Sequence, residues 1–139
     1  YTLTVDDGVR LEVLHPAAQP DIGAPMDDNA LVLRLTYGET SFLFTSELSR
    51  AGQSALLSSG ETLGASVLQL PGNAFTRSLD AVFLAAVDPQ VVIVQADGIT
   101  PPDPDVLSMV EGLPLFRTDQ GGTIEIVSDG DDVWASPAK

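Results

Sequence analysis

The residues able to do chemistry are few and mostly of one kind. Histidine occurs once, as His15 followed by Pro16, near the end of a segment with strand-like alternation, and cysteine does not occur at all. Catalysis of the Ser-His-Asp type would have to route every proton through that one imidazole. No serine sits in the Gly-x-Ser-x-Gly turn that presents a nucleophile at the top of a sheet. Zinc and iron sites take several nitrogen or sulfur donors, which one histidine and no thiol do not supply. The lack of cysteine also removes disulfides, zinc–thiolate sites and thiol nucleophiles. His15 therefore reads as a surface or internally satisfied residue.

Carboxylates are the remaining candidates. Asp97, Asp103 and Asp105 surround a Pro-rich loop, and Asp129, Asp131 and Asp132 crowd one turn. Calcium wants about 6–8 oxygen ligands in a defined loop, and the EF-hand spacing is not present. Aspartate is favoured in turns for its local hydrogen bonds, which is the simpler reading of both groups. Any two acids could meet in space for glycoside chemistry, but nothing singles out a pair. Gly121-Gly122 reads as a hairpin turn, not a phosphate-cradling loop.

Twenty acidic residues against six basic ones give a net charge of −14. That field repels phosphate backbones and anionic lipid, so the isolated chain is not expected to bind nucleic acid. It also keeps a chain with 44% hydrophobic residues dissolved. At 139 residues the chain fits a single domain, 1–139. Its apolar runs, such as Val91–Val94, fall far below the ~20 residues that cross a bilayer. The first six residues lack the basic start and apolar stretch of a signal peptide. Beginning with Tyr1 in place of Met and with a strand-like opening, the chain reads as part of a longer protein.

The elements that must position these groups follow from periodicity. Segments 2–5 and 9–14 alternate and flank Asp6-Asp7-Gly8, a turn composition, so a hairpin is expected. An irregular, Pro-rich stretch spans 16–28. Segments 30–37 and 41–45 are strands joined through Gly38-Glu39-Thr40, with Leu31, Leu33, Leu35 and Tyr37 on one face of the first. Helical spacing follows over 49–59 and 79–87, with a strand at 67–70 between them. Val91–Val94, β-branched throughout, predicts a central buried strand. A third helix is expected over 103–110, then Leu115-Phe116-Arg117, a turn at 119–122, a strand at 123–127, a turn at 128–132 and a final strand at Val133-Trp134. Strands first, then alternating helix and strand, predict an α/β class: a mixed sheet with flanking helices.

Several of these segments carry a resemblance. Met26-Asp27-Asp28-Asn29-Ala30 running into Leu31-Val32-Leu33-Arg34-Leu35, then Phe42-Leu43-Phe44-Thr45, resembles the metallo-β-lactamase-type domain of ComEC-type DNA-uptake proteins. Leu14-His15-Pro16, Val67-Leu68-Gln69-Leu70-Pro71, Phe83-Leu84-Ala85-Ala86-Val87-Asp88-Pro89 and the closing Phe116–Asp119 with Gly122-Thr123-Ile124 match in order. The likeness covers roughly residues 9–130 and implies the second half of an αββα sandwich.

The departures fall on the family's metal ligands. Thr45-Ser46-Glu47 stands where the family has Thr-Gly-Asp, and Pro71-Gly72-Asn73-Ala74 where it has Pro-His-His-Gly. Pro101-Pro102-Asp103-Pro104 replaces a late His-Pro-His-Pro. The family's early His-x-His-x-Asp-His cluster would lie before Tyr1. The resemblance thus implies a degenerate, metal-less hydrolase domain with no cofactor, in which Glu47, Asp97 and Asp103 are vestigial metal candidates. It also implies an extracytoplasmic domain of a membrane-anchored parent, and an apolar sheet face needing a cover. That cover would be the missing N-terminal half, a neighbouring domain or a second copy. The competing expectation is a metal-dependent nuclease or phosphodiesterase completed by a segment not in this sequence.

Overall fold

In the computed structural model, residues 1–6, 8–17 and 20–138 are described. Asp7 of the expected first turn, and Ala18 and Gln19 of the irregular stretch, lie outside them. The chain is of the α/β class, built on one seven-stranded mixed sheet with flanking helices. Its strands are β1 (Thr2–Asp6), β2 (Val9–His15), β3 (Val32–Tyr37), β4 (Thr40–Phe44), β5 (Val67–Gln69), β6 (Val91–Val94) and β7 (Leu115–Arg117). They lie side by side in chain order. The first four pair antiparallel and the last four parallel, so β4 is the strand where the sheet changes character.

Each parallel step needs a crossover, and helices α1 (Arg50–Ser58), α2 (Ala81–Val87) and α3 (Pro104–Ser108) supply them. The steps all advance the same way across the sheet, so a constant crossover hand puts all three helices on one face. Their buried side chains Leu56, Phe83, Val87 and Val106 join Leu43, Leu68, Val92 and Val94 of the sheet in one core. Local chemistry starts each helix: the Ser49 hydroxyl accepts from the Gly52 N–H, and the carboxylates of Asp80 and Asp103 cap α2 and α3. The helices are accordingly shorter than the 79–87 and 103–110 that periodicity suggests. The caps take the first positions, and after Ser108 the chain continues in turns.

The closing segment departs further from expectation. A hairpin between the strands at 115–117 and 123–127 does not form. Instead β7 joins the parallel sheet beside β6. The expected turn at 119–122 is largely a single helical turn, α4 (Thr118–Gly121), followed by Gly122 at φ +67°. The chain then leaves the sheet, and β8 (Ile124–Ser128) pairs with β9 (Val133–Pro137) as a separate hairpin. The last strand is thus longer than Val133-Trp134. In the tip of this hairpin the Asp129 carboxylate accepts from the Asp131 and Asp132 N–H groups at 3.0 and 2.9 Å. These aspartates build a turn.

The hairpin lies on the sheet face opposite the helices. Ile124, Ile126, Val133 and Ala135 pack there against Phe42, Val67, Val91 and Ile93. Its tip is pinned to the β3–β4 turn, where the Glu39 N–H donates to the Gly130 carbonyl at 2.6 Å. Gly38, at φ +57°, is required at this crossing, because a Cβ there would run into the Gly130 backbone.

Cross-strand partners share a face, so pairing extends this second face outward. Leu3, Leu11 and Leu35 align with Phe42, and Val13 and Leu33 with Phe44. The hairpin does not reach the outer strands. Leu3 and Val5 are 47% and 58% exposed, and Phe44 is 41% exposed. The helix side of the same strands carries Arg10, Glu12, Arg34 and Thr36, with Arg34 donating twice to Glu12 at 3.1 and 2.9 Å. On the apolar side Leu11, Val13, Leu33 and Leu35 are half-buried, and Leu3 on the edge strand is exposed. Among the described residues no helix is long and apolar enough to cross a membrane.

Candidate functional site

In open α/β sheets the crevice beyond the carboxyl ends of parallel strands is where backbone and side chains converge without blocking one another. Four segments leave the sheet at that edge: Thr45-Ser46-Glu47 after β4, Leu70 and the 3-10 turn Pro71–Ala74 after β5, Gln95-Ala96-Asp97 after β6, and Thr118 after β7.

One buried amide organises the first two. The Gln69 Oε1 accepts from the Thr45 and Ser46 N–H groups at 3.1 and 3.3 Å, while its Nε2 donates to the Leu70 carbonyl at 3.3 Å. Thr45, fully buried, donates its hydroxyl to the Gln69 carbonyl at 2.7 Å. On the far side, Thr118 Oγ1 both accepts from the Ala96 N–H and donates to the Ala96 carbonyl, each at 2.8 Å.

The loops then bond to one another. The Gly72 N–H donates to the Ser46 carbonyl at 3.0 Å, and the Asp103 N–H donates to the Ala74 carbonyl at 2.8 Å. The Asn73 amide donates to Glu47 Oε1 at 3.2 Å. Ser46, Asn73 and Ala74 all hold positive φ, at 50°, 52° and 56°. For Ser and Ala this is sparsely populated backbone costing on the order of 1–3 kcal/mol each, and such outliers gather at functional sites. No known protein family, curated protein or solved structure matches this chain.

Glu47, Asn73, Gln95, Asp97 and Thr118 line a shallow mouth of about 390 Å3. The structure therefore brings Glu47 and Asp97 to one place, with Asn73 between loops. Asp103 stands apart from that mouth. It caps α3 by accepting from the Asp105 N–H at 2.8 Å, and a hydrogen bond from Thr76 leads the causes holding its carboxyl below the usual range. Asp97 is held low by the N–H groups of Thr100 and Ile99, which reach its Oδ1 at 2.9 and 2.8 Å. Both are ionised at neutral pH. Pro101 is exposed on the loop leading to Asp103.

A two-metal centre of the kind the resemblance implies does not fit this set. Glu47 already accepts the Asn73 amide, so Asn73 turns a donor toward the mouth. Asp97 spends one oxygen on two backbone N–H groups. Among the described residues no three His, Asp or Glu side chains stand close enough to share an ion. His15 is remote in role: buried in the sheet margin, its Nε2 pairs with the Asp28 carbonyl at 2.7 Å and ties the end of β2 to the following loop.

Sequence reasoning missed the larger cavity. A cleft of about 650 Å3 lies between the sheet and the β8–β9 hairpin. Phe42, Phe44, Val67, Ile93, Ile124 and Ile126 form its apolar walls, and Gln69, Gln95 and Thr118 close its polar end. The alternation of 123–127 signalled an amphipathic strand, but nothing local said which face it would lie on.

Proposed function

We propose that this chain is a non-catalytic, metal-less domain of metallo-β-lactamase type, the second half of an αββα sandwich, acting as a structural or interaction module. It would belong to a ComEC-type DNA-uptake protein and lie outside the cytoplasm on a membrane-anchored parent. One observation carries the reading. The three segments that stand at the family's ligand motifs, Ser46-Glu47, Gly72-Asn73-Ala74 and Asp103, are separated in sequence yet hydrogen-bonded directly to one another at the strand ends. That is where a hydrolase on such a sheet would assemble its ligands, and here the ligand-bearing side chains are replaced while the loops keep strained backbone. A two-metal hydrolase makes hydroxide and holds both oxygens of the displacement with its ions. A scaffold can persist after that chemistry is gone.

The half-buried leucines of β2 and β3, with Leu3 and Phe44 exposed beside them, support the interaction role, since monomeric proteins rarely leave large apolar patches uncovered. In this reading the cover is the other half of the sandwich, a neighbouring domain or a second copy. The net charge of −14 opposes nucleic acid.

The test is metal content by mass spectrometry after loading with zinc, manganese and calcium in turn, with thermal unfolding alongside. Sub-stoichiometric metal and an unchanged Tm with every ion are expected. Stoichiometric zinc or manganese that survives dialysis, lost in Glu47→Gln, would overturn the proposal in favour of a metal-dependent phosphodiesterase.

A further inference from the structure

The cleft under the hairpin and the acidic mouth are neighbours. Gln95 and Thr118 line both, so the apolar cleft opens at its polar end directly beside Glu47 and Asp97. The volume, about 650 Å3, is that of a small-ligand pocket, where hydrophobic walls give affinity and a few polar groups fix orientation. The walls are built by two layers held apart by their own side chains: Phe42, Val67 and Ile93 below, Ile124 and Ile126 above.

The polar end states which head group is tolerated. Gln69 has both its amide atoms committed to Thr45, Ser46 and Leu70, and Thr118 is closed on Ala96. Gln95 accepts from the Gln69 amide at 3.4 Å and keeps its own NH2 for a ligand, and the charged groups left open are carboxylates. Glu47 uses only Oε1, for Asn73, and Asp97 is ionised. The nearest base on these strand ends, Arg117, is already paired in a two-pronged contact with Asp119, at 3.0 and 2.5 Å. An anionic head would meet two uncompensated carboxylates in a chain of net charge −14. A cationic one would be drawn in.

We propose that the cleft is a binding site for a cationic amphiphile, its aliphatic tail lying between Ile93 and Ile124–Ile126 and its ammonium head at the Glu47–Asp97 mouth. The site shares Glu47 and Asp97 with the vestigial metal edge, does not depend on that reading, and needs no catalytic step. It makes the mouth a charge filter and the hairpin the roof of a pocket.

The chain carries its own reporters. Of its five isoleucines, Ile93, Ile124 and Ile126 line the cleft, while Ile22 and Ile99 are 98% and 85% exposed elsewhere. Methyl NMR on isoleucine-labelled protein, titrated with dodecyltrimethylammonium below its micelle concentration, should move the first three signals saturably and leave the other two in place. Dodecanoate, with the same tail and opposite head, should bind at least about tenfold more weakly. The Glu47→Gln/Asp97→Asn double variant should keep tail binding but lose about two- to fivefold in affinity for the cation at low salt, with the difference fading at high salt. Ile126→Phe, which fills the cleft, should abolish the shifts in a protein whose spectrum remains dispersed. Absence of saturable shifts, equal binding of dodecanoate, or movement of all five methyls together would overturn the proposal. A result in which the carboxylate substitutions leave the cation preference intact would do the same.

Discussion

The two faces of the central sheet are made of similar residues and are treated in opposite ways. On the helix face, Leu43, Leu68, Val92 and Val94 meet three helices and are almost completely buried, with Phe83 at 0% exposure in the middle. On the other face, Phe42, Val67, Val91 and Ile93 meet one two-stranded hairpin, which leaves a cleft at one end and bare strands beyond its edge. Three crossover helices are obligatory for three parallel steps, so the first face is sealed by topology itself. The second is covered only by chain left over after the sheet is complete. Stability is therefore expected to reside on the helix face and recognition on the hairpin face.

That division is broken most directly by matched truncations. Leu68→Ala, fully buried on the helix face, should cost about 3–5 kcal/mol, because the surrounding helices cannot collapse onto the hole. Ile93→Ala, a similar deletion against the cleft, should cost about 2 kcal/mol, the low end for such changes, because part of its surroundings is already empty. Urea denaturation measures both. Equal losses would mean that the hairpin seals its face as firmly as the helices do.

A sharper probe sits where the two faces meet the site edge. Gln69→Leu removes the acceptor for the Thr45 and Ser46 N–H groups and the donor to Leu70. Leaving such buried groups unpaired costs about 1–3 kcal/mol. Hydrogen exchange should quicken at Ser46 while the amides of Val92 and Val94 stay protected. A uniform acceleration across the sheet would show that the strand-end loops and the core open as one unit.

The third probe belongs to the helix face. Asp80 caps α2 through the Val82 and Phe83 N–H groups and pairs with Arg50 at 2.7 Å. The Arg50 hydrogen bond, then the backbone bonds, hold its carboxyl below its ordinary value. A depressed carboxylate stabilises the fold above its unfolded value near ~3.9 and loses that contribution as pH falls through the lower folded value. Asp80→Ala should thus lose about 1 kcal/mol at pH 7. Its deficit against the parent chain should shrink below about pH 4. A deficit independent of pH would assign the effect to helix propensity alone.

Much of this fold could be read from the chain, and the reasons for the rest are physical. Alternation and β-branching place the strands and helical spacing places the helices, while the caps Ser49, Asp80 and Asp103 set where each helix begins, Asp80 one residue inside the 79–87 expected from spacing. Which strand β8 would pair with was not local. Its sequence alternates equally well for a partner in the sheet or for β9, and Gly122 with the α4 turn decides by carrying the chain out of the sheet. At the site, the resemblance points to Glu47, Asn73 and Asp103, but the contact of Glu47 with Asn73 depends on β4 and β5 lying parallel and adjacent, and Asp103 stays apart on α3. Asp97 joins Glu47 for the same reason, one strand further on. The left-handed backbone of Ser46 and Ala74 had no sequence signal at all, since neither residue type favours it. The 650 Å3 cleft arises between layers distant in sequence, which no window along the chain contains.

The smallest expected effect is the one that tests the open part of the second face. Leu3 and Val5 of the edge strand β1 are 47% and 58% exposed, Leu3 in line with Leu11 and Leu35 and Val5 at the register shift. If that surface is held for contact and adds little to the core, replacing both with threonine should change stability by no more than about 0.5 kcal/mol, the range for exposed positions. Threonine keeps strand preference, so a larger loss would have to come from packing. The comparison turns on the pair of readouts, stability from urea denaturation and association from light scattering as concentration rises. Unchanged stability with reduced association would mark β1–β3 as a contact surface. A loss approaching that of Ile93→Ala would instead place these outer strands within the same core as the hairpin, and the division between a structural face and a recognition face would have to be redrawn around β4.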